Sequence, residues 1–378
     1  MKTFISFKTV ALGLAMFSMF FGAGNVIFPL VIGHYAQDKT IFAILGLLVT
    51  AVAFPFAGLM SMILFNGDQK RYFGVLGKIP GFLIALFIIT LLGPLGSTPR
   101  CIALAYSTIK MSAGNLSPLL FNGVACCIVY FFTFQKKRIL HWLGYVLTPL
   151  LLGSLTFIII KGLLTADVNI STVDQDNFAV FLHGLKEGYN TMDLLAALFF
   201  SSIILSSLKD SLTNEEGLIR TALKSSAIGA GLLALTYIGF SLVASYHSQN
   251  LAIESRDQLL GAITMKIMGP SAGIWVCMTI ALACLTTAIA LCNVFAEFVS
   301  SQVFQNKINY NTALIGTLIA TFIVANFEFE GISAFLGPIL EVCYPFLIAL
   351  TAYNIGLGLW ERRKNRMPIL QTAIEERQ

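Results

Sequence analysis

Two stretches of this 378-residue chain place polar and flexible residues where an apolar helix would otherwise continue. The first reads Phe20, Phe21, Gly22, Ala23, Gly24, Asn25, Val26, Ile27, Phe28, Pro29. Glycine costs about 1 kcal/mol relative to alanine inside a helix and lets the backbone leave helical geometry. The second reads Gly184, Leu185, Lys186, Glu187, Gly188, Tyr189, Asn190, Thr191, Met192, Asp193, and the apolar run Leu194 to Leu205 follows it. The chemistry available to a broken helix is defined by its ends. Half-helix N-termini present unpaired N–H groups and a positive dipole end, which suit a carboxylate, whereas carbonyls freed at half-helix C-termini suit a cation. A zwitterionic solute together with a monovalent cation matches such a pair of ends. Two plainer readings stand beside this one: close helix packing through small residues for the first stretch, and a loop entering the membrane for the second.

Other chemistries find little to work with. The seven cysteines (Cys101, Cys126, Cys127, Cys277, Cys284, Cys292, Cys343) lie in apolar segments without ligand spacing, so they read as packing residues. The four histidines are scattered, and no Walker loop, HExxH or Ser/His/Asp grouping occurs. No enzyme, metal centre or cofactor is therefore expected. A net charge of +5 without a basic patch interleaved with aromatics does not point to nucleic acid.

The elements that must position these residues follow from composition. The chain is 57% hydrophobic and only 11% charged, with a mean hydropathy of +0.81. A soluble protein carries roughly 25% charged residues, so this is a membrane-embedded, all-α chain with lipid as a partner. A hydrocarbon core of about 30 Å needs roughly 20 apolar residues in a helix. Ten runs qualify: 9–32, 40–65, 80–106, 118–134, 141–160, 178–207, 225–246, 272–299, 312–327 and 332–360. Lys2 and Lys8 before the first run also fit a signal peptide, but that run continues past Asn25 and nine more follow.

Positive charge tests the count. With the N-terminus in the cytoplasm, seventeen Lys and Arg fall inside and six outside, Lys186 at the interruption of the sixth run among the six, and Arg100 lies within a span. Both termini are then cytoplasmic, in a cell (inner) membrane. Ten spans divide into five plus five, and an odd unit inserts in opposite senses, so the halves are expected to form an inverted repeat over 1–165 and 166–360, with a cytoplasmic tail at 361–378. Span six opens the second half, which puts the two interruptions in corresponding places, where transporters of this build hold their ligands.

The stretches Phe20 to Pro29 and Gly188 to Asp193, with Gly93, Pro94, Pro99 and Arg100 in span three, Ala281 to Ala288 in span eight, and Tyr344, Pro345 in span ten, resemble the branched-chain amino acid transport system II carriers. These are sodium-coupled leucine, isoleucine and valine symporters of the amino acid, polyamine and organocation superfamily. The resemblance implies a leucine-transporter-like fold with discontinuous first and sixth helices, and Na+ as the coupling ion. It implies that Ala23 and Gly24 offer backbone N–H groups to a substrate carboxylate and that Asn25 braces the unwound turn or faces an ion. Tyr189, Asn190 and Thr191 would complete the polar contacts to substrate. Carbonyls of Ser18 and Phe21 would meet Ala283, Thr286 and Thr287, whose i, i+3, i+4 spacing shares one helix face, and five oxygens suit a hard cation. Threonines that bond to their own helix give the same pattern.

Three charged residues are candidates for gating or coupling. Asp193 would pair with the substrate amino group or hold the break open. Arg100 would act as an outer gate paired with an acid, with Glu341 as partner, or snorkel to the headgroups. Proton coupling through Asp193 or Glu341, another amino acid as substrate, and a non-transporting sensor remain open. Carriers of this kind typically have two further spans after the tenth.

Overall fold

The computed structural model describes residues 7–114, 116–134, 148–166, 170–209, 215–249, 251, 255–269 and 273–375. The start of the expected fifth span (141–147), Lys2, His141, the basic residues 136–138 and the end of the tail (376–378) lie outside them. Every described element is helical. In chain order these are α1 (Phe7–Phe20), α2 (Ala23–Ala36), α3 (Thr40–Leu48), α4 (Phe54–Leu64), α5 (Gln69–Gly74), α6 (Lys78–Leu92), α7 (Ser97–Ala113), α8 (Pro118–Phe134) and α9 (Thr148–Leu164). They continue as α10 (Asn177–Asn190), α11 (Asp193–Lys209), α12 (Glu215–His247), α13 (Leu259–Met268), α14 (Gly273–Phe298), α15 (Tyr310–Ala325) and α16 (Glu328–Glu375).

Six helices are long and apolar enough to cross a membrane, and four shorter apolar ones accompany them, among the described residues. The protein is a multi-pass membrane protein. Exposed Ile79, Leu83, Phe131, Phe157, Ile319 and Val342 line the outer surface, as expected where lipid rather than water is the neighbour.

Where the expected spans are described they fall on helices, with differences of detail. The second is wound through a π-helical turn at Val49–Ala53 that joins α3 to α4. Pro55 follows it, and its missing N–H is one cause of such a local rewinding. The third is divided into α6 and α7, because the chain leaves helical geometry between Gly93 and Gly96. The sixth is interrupted more narrowly than Gly184 to Asp193. Gly184 and Gly188 stay inside α10, and only Thr191 and Met192 lie between α10 and α11. Finally, the expected tail begins as helix, since α16 runs on to Glu375.

Gly184 has a packing role instead of a hinge role. A Cβ at Gly184 would fall 2.0 Å from the Ala43 carbonyl oxygen, and one at Gly46 would fall 2.1 Å from that of Phe181. Backbones of α3 and α10 therefore approach through two facing glycines, as small residues allow in membranes. Around this seam the packing follows an exchange: α1 and α2 lie on α12, α10 on α3, α11 on α4, and α7 on α14.

Candidate functional site

Both interruptions expected from the sequence meet in the interior. At the first, Phe21 closes α1 through a 2.8 Å bond from its N–H to the Phe17 carbonyl, and Gly22 is extended. The Gly22 N–H donates to Asn25 Oδ1 at 3.1 Å. This is the reach-back half of a capping box, which satisfies one donor at the start of α2. Pro29 has no N–H to give the Asn25 carbonyl. At the second interruption Met192 is left-handed, with φ of 64°. There the Thr191 hydroxyl donates to the Gly188 carbonyl at 2.8 Å, and the Asp193 N–H donates to Thr191 Oγ1 at 3.4 Å.

Gly24 lets the two turns touch. A Cβ there would lie 3.1 Å from Thr191 Cα and 3.2 Å from the Asn190 carbonyl oxygen. Beside that contact, Asn25 Nδ2 donates to both carboxylate oxygens of Asp193 at 2.8 and 2.9 Å. The Tyr237 hydroxyl on α12 donates to Asp193 Oδ2 at 2.6 Å and also touches the Asn25 amide. Asp193, Asn25 and Tyr237 are all buried, and no cationic side chain forms an ion pair with Asp193 among the described residues. Amide, hydroxyl and the N-terminal end of α11 thus take the place of a counter-ion. The Leu194 N–H donates to the Tyr344 hydroxyl at 3.3 Å, and Tyr189 packs on the Tyr344 ring at 4.7 Å.

Below the first interruption lies a group of oxygens. The hydroxyls of Thr286 and Thr287 on α14 both donate to the Ser18 carbonyl at 3.4 Å, and Thr286 also donates to the Ala283 carbonyl at 2.8 Å. A hard cation held at about 2.4 Å by ligands at right angles separates those ligands by about 3.4 Å, so the spacing suits one. The Ser18 hydroxyl is buried without a partner, and a Cβ on Gly22 would lie 2.8 Å from Thr287. Ser18, Ala283, Thr286 and Thr287 are therefore gathered; Phe21, at the end of α1, is buried and stacks on Phe17 at 5.1 Å.

Arg100 and Glu341 do not pair. Glu341 faces Lys186 at 3.6 Å on the periphery. Arg100 does not snorkel, and it pairs with no acid among the described residues: it is 2% exposed and donates from Nη1 to the Asn190 carbonyl at 3.1 Å. The physical reason is the division of the third span, which starts α7 at Ser97 and turns the fourth residue of that helix inward toward the C-terminal end of α10. Asn190 itself donates through Nδ2 to Glu187 at 3.0 Å, and Glu187 pairs with Arg256 at 3.6 Å. Cys101, next to Arg100, lies against the Ala23 backbone and Cys284.

Sequence reasoning missed Tyr237, Arg256 and the cysteine contact. A single tyrosine in an apolar span carries no signal of its own, because its partners are 44 and 212 residues away.

A family model described as branched-chain amino acid transport protein matches residues 5–374. The chain belongs to this family. A relative from Pseudomonas aeruginosa, the branched-chain amino acid transport system 2 carrier protein, is 29% identical over 361 residues, which are 94% of this chain and 82% of the relative. Among solved structures, a Na+-coupled sialic acid symporter in a substrate-bound outward-open state superposes with a TM-score of 0.64 at 14% identity, over 92% of this chain and 78% of that one. Mhp1 in its inward-facing conformation gives 0.63 at 16% identity, over 91% and 75%. At these identities the likeness concerns the fold, which is that of leucine-transporter-like carriers. Membership of a transporter family makes this family member a non-enzymatic protein.

Proposed function

We propose that this protein is a secondary active transporter that takes up leucine, isoleucine or valine across the cell (inner) membrane with sodium as the coupling ion. The observation that carries the proposal is the meeting of two helix interruptions, with an acid and an amide on one side of Gly22 and a group of four oxygen-bearing residues on the other. Substrate is assigned to Ala23, Gly24, Asn25, Tyr189, Asn190 and Thr191. Sodium is assigned to the carbonyls of Ser18, Phe21 and Ala283 and the hydroxyls of Thr286 and Thr287. The family membership and the system 2 relative support the substrate class, and the fold shared with a Na+-coupled symporter is consistent with the ion.

The architecture proposed with it is ten spans in two inverted halves, 1–165 and 166–360, with both termini cytoplasmic. The packing exchange supports this reading. The first span of each half (α1–α2, α10–α11) lies on the second span of the other (α12, α3–α4), and the third spans meet through α7 and α14. A twofold axis in the membrane plane generates that pattern. In mechanism, α2 and α11 present N-terminal ends to substrate while α1 ends above the oxygens. Binding of ion and solute then bears on the same interruption, so each favours the other's bound state.

A second reading, proton coupling, draws on Asp193, which is buried with hydrogen bonds but no cation. The test is leucine counterflow in proteoliposomes with pH and sodium varied separately and all twenty amino acids as competitors. Competition by leucine, isoleucine and valine with sodium dependence at fixed pH supports sodium symport. Dependence on the pH gradient alone assigns the coupling to a proton.

A further inference from the structure

Arg100 is a buried guanidinium that forms no ion pair with an acid among the described residues. Its Cζ lies 5.0 Å from the Phe28 ring centre and 5.2 Å from that of Phe329, and those centres are only 6.4 Å apart, so both rings pack on one side of the group. Nη1 is satisfied by the Asn190 carbonyl at 3.1 Å and lies 3.7 Å from Met192 Sδ. Nη2 is buried and has no hydrogen-bond partner. Neighbouring acids are engaged elsewhere. Glu187 pairs with Arg256 and faces His183, Glu330 accepts the Arg256 backbone N–H at 2.9 Å, and Asp193 is closed by Asn25 and Tyr237. A charge removed from water without a partner is among the costliest arrangements in a protein, the more so within a membrane.

The place of this group narrows what could complete it. The Asn190 carbonyl oxygen that accepts from Arg100 is the atom that would lie 3.2 Å from a Cβ on Gly24. Arg100 and the first turn of α2 therefore flank the same point, where the two interruptions touch. The two rings pack on one side of the guanidinium and leave Nη2 without an acceptor, and guanidinium N–H groups match a planar carboxylate. We propose that Arg100 is a recognition residue for the substrate carboxylate, its Nη2 edge joining the amides of α2 to hold that group. The inference rests on the substrate site of the preceding section and adds to it a charged ligand on α7. A guanidinium that merely capped α10 would stabilise the fold without distinguishing one solute from another.

The experiment is competition against radiolabelled leucine by leucine and by leucinamide, which keeps the amino group and side chain but lacks the carboxylate. It uses the purified full-length wild type, Arg100→Gln and Arg100→Lys. Wild type prefers leucine. In Arg100→Gln the leucine-to-leucinamide preference falls by about 10- to 100-fold, the loss of a hydrogen bond to a charged group, chiefly through weaker leucine binding. Arg100→Lys, which keeps the charge and loses the fork, lies between. An unchanged preference in Arg100→Gln overturns the proposal. Should Arg100→Gln not yield a monodisperse protein, Arg100→Lys decides: equal losses for leucine and leucinamide overturn it, and loss confined to leucine sustains it. Failure of the wild type to bind any branched-chain amino acid is a separate result that overturns the proposed function. The role of Arg100 is then read from the acid and amide of whichever amino acid the wild type binds.

Discussion

Gly24→Ala separates what the contact between the two interruptions does for the fold from what it does for transport. The added methyl would lie 3.1 Å from Thr191 Cα and 3.2 and 3.3 Å from the carbonyl oxygens of Asn190 and Thr191. Ordinary carbon contacts are about 3.5 to 4.0 Å, so the turns must part by a few tenths of an ångström. A single methyl inserted with so small a displacement sits at the low end of the overpacking range, about 1 kcal/mol. Against that, alanine in place of glycine within α2 contributes about 0.5–1 kcal/mol by reducing unfolded-chain entropy. Stability should thus change by less than about 1 kcal/mol. Transport should not be spared, because the methyl fills the place assigned to the carboxylate and covers the Gly24 amide. Leucine uptake is expected to fall at least about tenfold, equivalent to 1.4 kcal/mol. Thermal unfolding in detergent measures the first quantity, and saturation binding with uptake measures the second. A leucine affinity equal to wild type in Gly24→Ala would refute the placing of the ligand between the two turns. A large loss of stability would refute the packing estimate.

Three further outcomes follow from the same contacts. Gly46→Ala puts a methyl 2.1 Å from the Phe181 carbonyl oxygen, so it should destabilise by about 3 kcal/mol or more, whereas Gly231→Ala, with open space around it, should be neutral or stabilising; thermal melts compare them. Tyr237→Phe removes the hydroxyl bonded at 2.6 Å to Asp193 and should cost about 1.5–3 kcal/mol in unfolding experiments. Asn25→Asp sets a second carboxylate against Asp193 across the former 2.8 Å bond and should abolish folding or uptake. In the double variant Asn25→Asp with Asp193→Asn, which restores one acid facing one amide, folded yield should recover.

Much of this arrangement can be read in the sequence, and the exceptions have physical causes. Residues 20–29 announce an interruption because Gly22, Gly24, Asn25 and Pro29 all oppose an unbroken helix locally. Residues 184–193 mislead over their first half, because glycine signals both a break and a close approach. Gly184 and Gly188 prove to face backbone and side chain of the second span, with Gly188 pressed against Thr50. The deciding partner lies more than a hundred residues away, so only tertiary packing distinguishes the two uses. Division of the third span at Gly93–Gly96 is written in Gly93, Pro94 and Gly96, yet its consequence for Arg100 depends on where α10 ends. Asp193 could be marked as an anomalous acid, but its closure by Tyr237 could not, since a phenol within an apolar helix is ordinary until its neighbour is known.

Sodium dependence of uptake is the most direct measure of the proposed transport. Purified protein in proteoliposomes should accumulate labelled leucine when sodium is raised outside and should not when choline replaces it. Thr286→Ala combined with Thr287→Ala, which removes both hydroxyls bonded to the Ser18 carbonyl, should abolish that dependence while leaving the protein folded. Accumulation that is indifferent to sodium, and unchanged in the double variant, would contradict the assignment.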